Sequence, residues 1–127
     1  MTRLLLIAAL AASSLGLAAC SSGVEAPADR GVCWHMVQLK DGKFRFNKLA
    51  ENIPNLETCA ARLENMRLHF NVLGANQTEE VGAYQGQFLF VEPQGILSAA
   101  GLTTSRYVLL VRTGDGRLAI PGAMKQD

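Results

Sequence analysis

Cys33, Cys59, His35 and His69 supply two thiols and two imidazoles, the ligand types that zinc favours. A tetrahedral zinc site draws its loop-borne thiolates from closely spaced C-x2–4-C pairs. Here Cys33 and His35 are separated by one residue and no such pair exists, so neither a metal nor any other cofactor is expected. His35 reads as a partly buried strand residue with a hydrogen-bond partner. His69 reads as a surface residue near a helix C-terminus, where an imidazolium is favoured. Asp41-Gly42 followed by Glu51 has the outline of a calcium loop, but Lys43 and Arg45 stand where that loop needs oxygen ligands. Thr113-Gly114-Asp115-Gly116 shares only its glycines with a phosphate-binding loop; it lacks the following Lys-Ser/Thr and reads as a hairpin turn.

No nucleophile elbow, cysteine–histidine nucleophile or carboxylate pair is recognisable, and Ser98 and Ser105 stand in no catalytic context. The expectation is a protein that is not an enzyme, with no catalytic residues. Two ionisable groups converging with His35 in a pocket would argue the other way. Trp34, Met36 and Leu49 are the candidate partner surface, because tryptophan is enriched at binding hot spots. A concave, polar-rimmed pocket beside them would suit a soluble ligand, and a flat apolar strip a protein partner. Gln85-Gly86-Gln87 reads as a stretch of strand that another backbone approaches closely.

The N-terminus gives the most specific pattern. Arg3 is the only charge in the first 24 residues, Leu4 to Ala12 are all apolar, and small residues follow to Cys20. This is the layout of a secretory signal, too short and too rich in alanine for a membrane span of ~20 apolar residues. Leu17-Ala18-Ala19-Cys20 resembles the lipobox of bacterial lipoproteins. The resemblance implies cleavage before Cys20 and acylation of Cys20, which would hold the chain to membrane lipid. Ser21, rather than aspartate, implies the periplasmic face of the outer membrane.

With Cys20 assigned to lipid and the chain in an oxidising compartment, Cys33 and Cys59 remain as an even pair and are expected to form a disulfide. Closing a loop of about 27 residues is worth roughly 3–4 kcal/mol. The full chain has 127 residues, with 12 basic and 11 acidic. Without residues 1–19 the charges balance, so nothing points to nucleic acid. Residues 20–31 are small and polar and read as a lipidated, flexible tether with a reach of roughly 18 Å.

These residues need elements to position them. Val32–Leu39 and Phe44–Leu49 alternate as strands around Asp41-Gly42, the strongest short hairpin signal. A two-residue loop there pairs Leu39 with Phe44 and Val37 with Phe46. It places Cys33, His35 and Val37 on one face with both phenylalanines, and Trp34, Met36 and Leu49 on the other. Asn55 is an N-cap for a helix from Leu56 to about Phe70, whose apolar stripe includes Cys59 and Leu63 and leaves out Arg62, Glu64, Asn65 and Arg67. Gly74 could cap its end. Strands are expected at Tyr84–Val91, Ile96–Ala99, Arg106–Arg112 and Arg117–Ile120. The hairpin pattern and the helix pattern each turn a cysteine inward, so a Cys33–Cys59 bridge would clamp helix to sheet.

The expected architecture is a single α+β domain over residues 32–122, with a mainly antiparallel sheet of about four to six strands, one helix on one face, and a tail at 123–127. The expected function is a small membrane-anchored periplasmic lipoprotein, a non-enzymatic interaction or accessory module of the cell envelope with a possible envelope protein partner. The alternative is a ligand- or inhibitor-type binding module, for example against a wall-degrading enzyme.

Overall fold

The computed structural model describes residues 23–74 and 79–122. Cys20, the expected signal peptide and the expected tail lie outside them. The elements in chain order are β1 (Cys33–Gln38), β2 (Phe44–Ala50), α1 (Leu56–Val72), β3 (Glu80–Tyr84), β4 (Gln87–Glu92), β5 (Gly95–Ala99), β6 (Tyr107–Arg112) and β7 (Leu118–Ala119). The strands form one antiparallel sheet in the order β2-β1-β3-β4-β5-β6-β7, and α1 lies against β3 and β4. The fold is α+β as expected, with seven strands among the described residues rather than about four to six.

The additional strand comes from a turn inside what reads as the single strand Tyr84–Val91. Gln85 and Gly86 have φ of 44° and 84°, both in the left-handed region, and Tyr84 pairs directly with Gln87. Two central residues at positive φ define the primed turn that suits a two-residue hairpin. Asp41-Gly42, expected to form such a turn, instead belongs to a three-residue loop. The Leu39 N–H donates to the Lys43 carbonyl at 2.7 Å, and Gly42 alone has positive φ, 84°.

The longer loop slips the first hairpin by one residue, so Gln38 faces Phe44 and Met36 faces Phe46. Because side chains alternate, one residue of slip turns β2 over from Phe44 to Lys48, while Ala50, beyond a register shift, stays opposite Cys33. Phe44 and Phe46 therefore share a face with Trp34 and Met36, not with Cys33. Cys33 keeps its expected side, and its bond to Cys59 is present with the two Cα atoms 5.4 Å apart.

Asn55 Oδ1 accepts from the Thr58 N–H at 2.8 Å and starts α1 as expected. The helix runs two residues beyond Phe70. Its inner side presents Cys59, Ala60 and Leu63 to a core that includes Cys33, Leu89, Val91 and Ile96. Close docking depends on Gly82. A Cβ there would stand 2.4 Å from Leu63 Cδ1 and 2.5 Å from the Trp34 carbonyl oxygen.

The opposite face of the sheet has a second core of Phe88, Phe90 and Ala99. No helix covers it. Val24, Ala26 and Leu102 pack there instead, and the Arg106 guanidinium lies 3.5 Å from the Phe90 ring centre. The Gly86 N–H donates to the Pro27 carbonyl at 2.9 Å, and the Gly31 N–H donates to Gln85 Oε1 at 2.9 Å. From Val24 onward, the stretch that reads as a free tether is thus laid on the domain. Val24 and Ala26 thereby add to the apolar cover of the buried aromatics. The close approach expected at Gly86 is not what calls for glycine there: a Cβ would meet nothing within 4 Å, and the residue's requirement is its positive φ in the turn.

Candidate binding cleft

β1 and β3 pair at only three positions, Cys33↔Tyr84, Trp34↔Ala83 and His35↔Gly82. Both strands continue past the last pair, yet the ladder does not. Met36–Gln38 and Glu79–Val81 diverge and open a cleft of about 410 Å³, completed by Phe44 from β2 and Phe70 from the last turns of α1. That volume falls in the range of small-ligand sites, roughly 300–1,000 Å³.

His35 Nε2 lies 2.7 Å from Glu80 Oε2 at this cleft, with the two side chains 18% and 5% exposed. A carboxylate this deeply buried needs a hydrogen-bond donor to offset lost hydration, and the imidazole provides one. Glu79 is 45% exposed. It is 4.0 Å from Arg106, whose closer ion pair is with Glu92. Met36, Val37, Phe44, Phe70 and Val81 make the remaining wall mostly apolar. Two ionisable groups, Glu79 and Glu80, thus meet His35 in one cleft, and among the described residues neither serine, threonine nor cysteine lines it.

His35 thus has the partner expected of it, but sequence reasoning missed that partner. No strand is expected at Glu80, because Tyr84–Val91 reads as one strand without the turn at Gln85-Gly86. With that turn in place, the strand that follows it implies an antiparallel neighbour running back through Glu80.

Trp34, Met36 and Leu49 do not form one surface. A register shift between Cys33 and Trp34 pairs Trp34 with Lys48 and Cys33 with Ala50, so Leu49 is an extra residue. Leu49 packs against the helix-side core, whereas Met36 packs against the Phe88–Phe90 core and also lines the cleft. Trp34 Nε1 is buried without a hydrogen-bond partner among the described residues, and the Lys48 ammonium is 6.0 Å from the ring centre. His69 is exposed in the last turn of α1. Among the described residues, no cluster of three or more His, Cys, Asp or Glu could hold a metal.

A second cavity, of about 230 Å³, lies where α1 meets the β6–β7 turn. At its floor is Glu64, which is buried although it falls outside the helix's apolar stripe. Arg112 donates to it from Nε at 3.0 Å and Nη2 at 2.8 Å, and Arg67 from Nε at 3.1 Å. Arg112 also donates to the carbonyls of Glu92 and Pro93. This network ties α1 to β6 and to the β4–β5 turn. Burial acts to raise the pKa of Glu64, but hydrogen bonds from Arg112 and Arg67, with their charges, outweigh it and hold the carboxyl below its ordinary value.

Comparison with family models, curated proteins and solved structures gives no match in any of the three.

Proposed function

We propose that this chain is a lipid-anchored binding module of the cell envelope, held through acylated Cys20 at the periplasmic face of the outer membrane. In this reading it binds a ligand between β1 and β3 without catalysing a reaction. The anchoring half is supported by the lipobox-like Leu17-Ala18-Ala19-Cys20 and by Ser21. The observation that carries the binding half is the cleft itself, concave, apolar-walled and rimmed by His35, Gln38, Glu79 and Glu80. A flat strip at Trp34 and Met36 would favour an accessory module that meets a protein face. A concave site with polar groups favours the ligand- or inhibitor-type module instead.

The test uses cells expressing the full chain with a photoreactive residue at Gln38, with and without Cys20→Ala. The expected result is palmitate incorporation and outer-membrane fractionation for the Cys20 form alone, with a discrete photo-adduct on irradiation. A Cys20 form that takes up no lipid overturns the anchoring half. Irradiation that yields no adduct overturns the binding half.

One observation favours a second reading. The His35–Glu80 pair is also the arrangement that orients a histidine as a general base, here for an activated water. Turnover of a ligand captured at Gln38, lost in His35→Gln, would establish that reading in place of simple binding.

A further inference from the structure

We infer that the cleft between β1 and β3 takes a cationic side chain, a lysine or arginine presented on an extended peptide. This rests on the binding reading above. The titratable groups lining the cleft are His35, Glu79 and Glu80. With both glutamates ionised, its charge is negative whether His35 is neutral or protonated. Glu79 is nearly half exposed and, among the described residues, its only ion pair, with Arg106, is long at 4.0 Å, so it is open to an incoming cation.

The walls suit the rest of such a side chain. Lysine and arginine carry apolar stems that pack on hydrophobic surface while the charged tip reaches a polar partner. Met36, Val37 and Val81 offer aliphatic contact, and Phe44 and Phe70 offer rings that attract a nearby cation. An anionic group would meet carboxylates here. An uncharged apolar group would strip water from Glu79 and give nothing in return.

The interrupted ladder supplies the argument for a peptide. Beyond His35↔Gly82 the facing edges of β1 and β3 have no sheet pairing with each other. Main-chain donors and acceptors along such an edge pair with an added extended segment, and side-chain pockets then set which residue it carries. A volume of about 410 Å³ holds one long side chain and the backbone that bears it.

The test uses the purified full chain in nanodiscs and two capped tripeptides, acetyl-Val-Lys-Val-amide and its norleucine counterpart. Backbone amide shifts at Met36–Gln38 and Glu79–Val81 report binding. We expect saturable shifts with the lysine peptide and affinity about tenfold weaker with norleucine, which keeps the stem and removes the charge. Glu79→Gln should weaken the lysine peptide about threefold and leave the norleucine peptide unchanged. Because Glu79 is exposed, that variant does not depend on the buried Glu80. Equal affinity for the two peptides overturns the charge assignment and leaves the cleft as a binding site. The absence of shifts with either peptide overturns both.

Discussion

Gly82→Ala is the substitution that most directly tests how the helix is seated on the sheet. Gly82 is not at positive φ, so its backbone conformation does not require glycine. On conformational grounds alone, alanine in a strand should gain up to about 1 kcal/mol. The structure predicts the opposite sign. The new methyl would lie 2.4 Å and 2.8 Å from the two Leu63 methyl carbons, about 1 Å inside ordinary contact, and 2.5 Å from the Trp34 carbonyl oxygen. Leu63 can yield through a strained rotamer, at a cost of about 0.5–1.5 kcal/mol. The carbonyl belongs to the neighbouring strand and yields only if β1 moves, which adds to the overpacking cost of roughly 1–3 kcal/mol. We expect a net loss of about 2–3 kcal/mol, which lowers the Tm of a domain this size by on the order of 10 °C or more. Urea unfolding of wild type, Gly82→Ala, Leu63→Ala and the double variant gives the coupling energy. The loss in the double variant should be smaller than the sum of the single losses, but Gly82→Ala should still cost something, because the Trp34 clash remains. A neutral or stabilising Gly82→Ala would refute the close approach of α1 to β3.

Two further outcomes follow from the same architecture. Replacing Cys33 and Cys59 together by alanine should cost about 3–4 kcal/mol from loop entropy alone, seen as a lower urea midpoint that reductant no longer changes. The depressed pKa of Glu64 contributes stability that is fully present above its ordinary value of 4.5 and is lost as pH falls through its lower folded-state value. Glu64→Gln should therefore destabilise the protein at neutral pH by about 2 kcal/mol, since two partly buried guanidiniums lose their counter-charge, and should flatten the acid limb of the stability profile. An unchanged acid limb would show that other carboxylates govern it.

What could be read from sequence was what depended on short-range pattern. The Asn55 cap and the inward positions of Cys33 and Cys59 each follow from a few neighbouring residues, so helix, disulfide and α+β class were all legible. What failed depended on choices that local pattern leaves open. Asp41-Gly42 marks a turn but does not fix whether the loop has two residues or three, and that single residue decided which face carries Phe44 and Phe46. Gln85 adopts positive φ although glutamine is not a usual turn residue for that position, which hid both β3 and Glu80. Glu64 reads as solvent-facing because its main partner, Arg112, lies 48 residues away on another element. The candidate cleft was half visible. His35 was singled out, but a gap in a sheet comes from where pairing stops, and side-chain periodicity does not record that.

The stretch from Val24 to Gly31 bears on how the domain would be mounted. If lipid is attached at Cys20 as proposed, the chain between that anchor and Val24, the first of the described residues to pack on the domain, is four steps long. Fully stretched, it spans about 14 Å at most. The connection is then less a leash than a short stalk, fastened to the domain along the face opposite α1. Such a mount limits tumbling and gives the domain a preferred side towards the bilayer. Any partner of the cleft would meet it at nearly fixed height and with restricted orientation, so the geometry of encounter, and not only affinity, would select what binds.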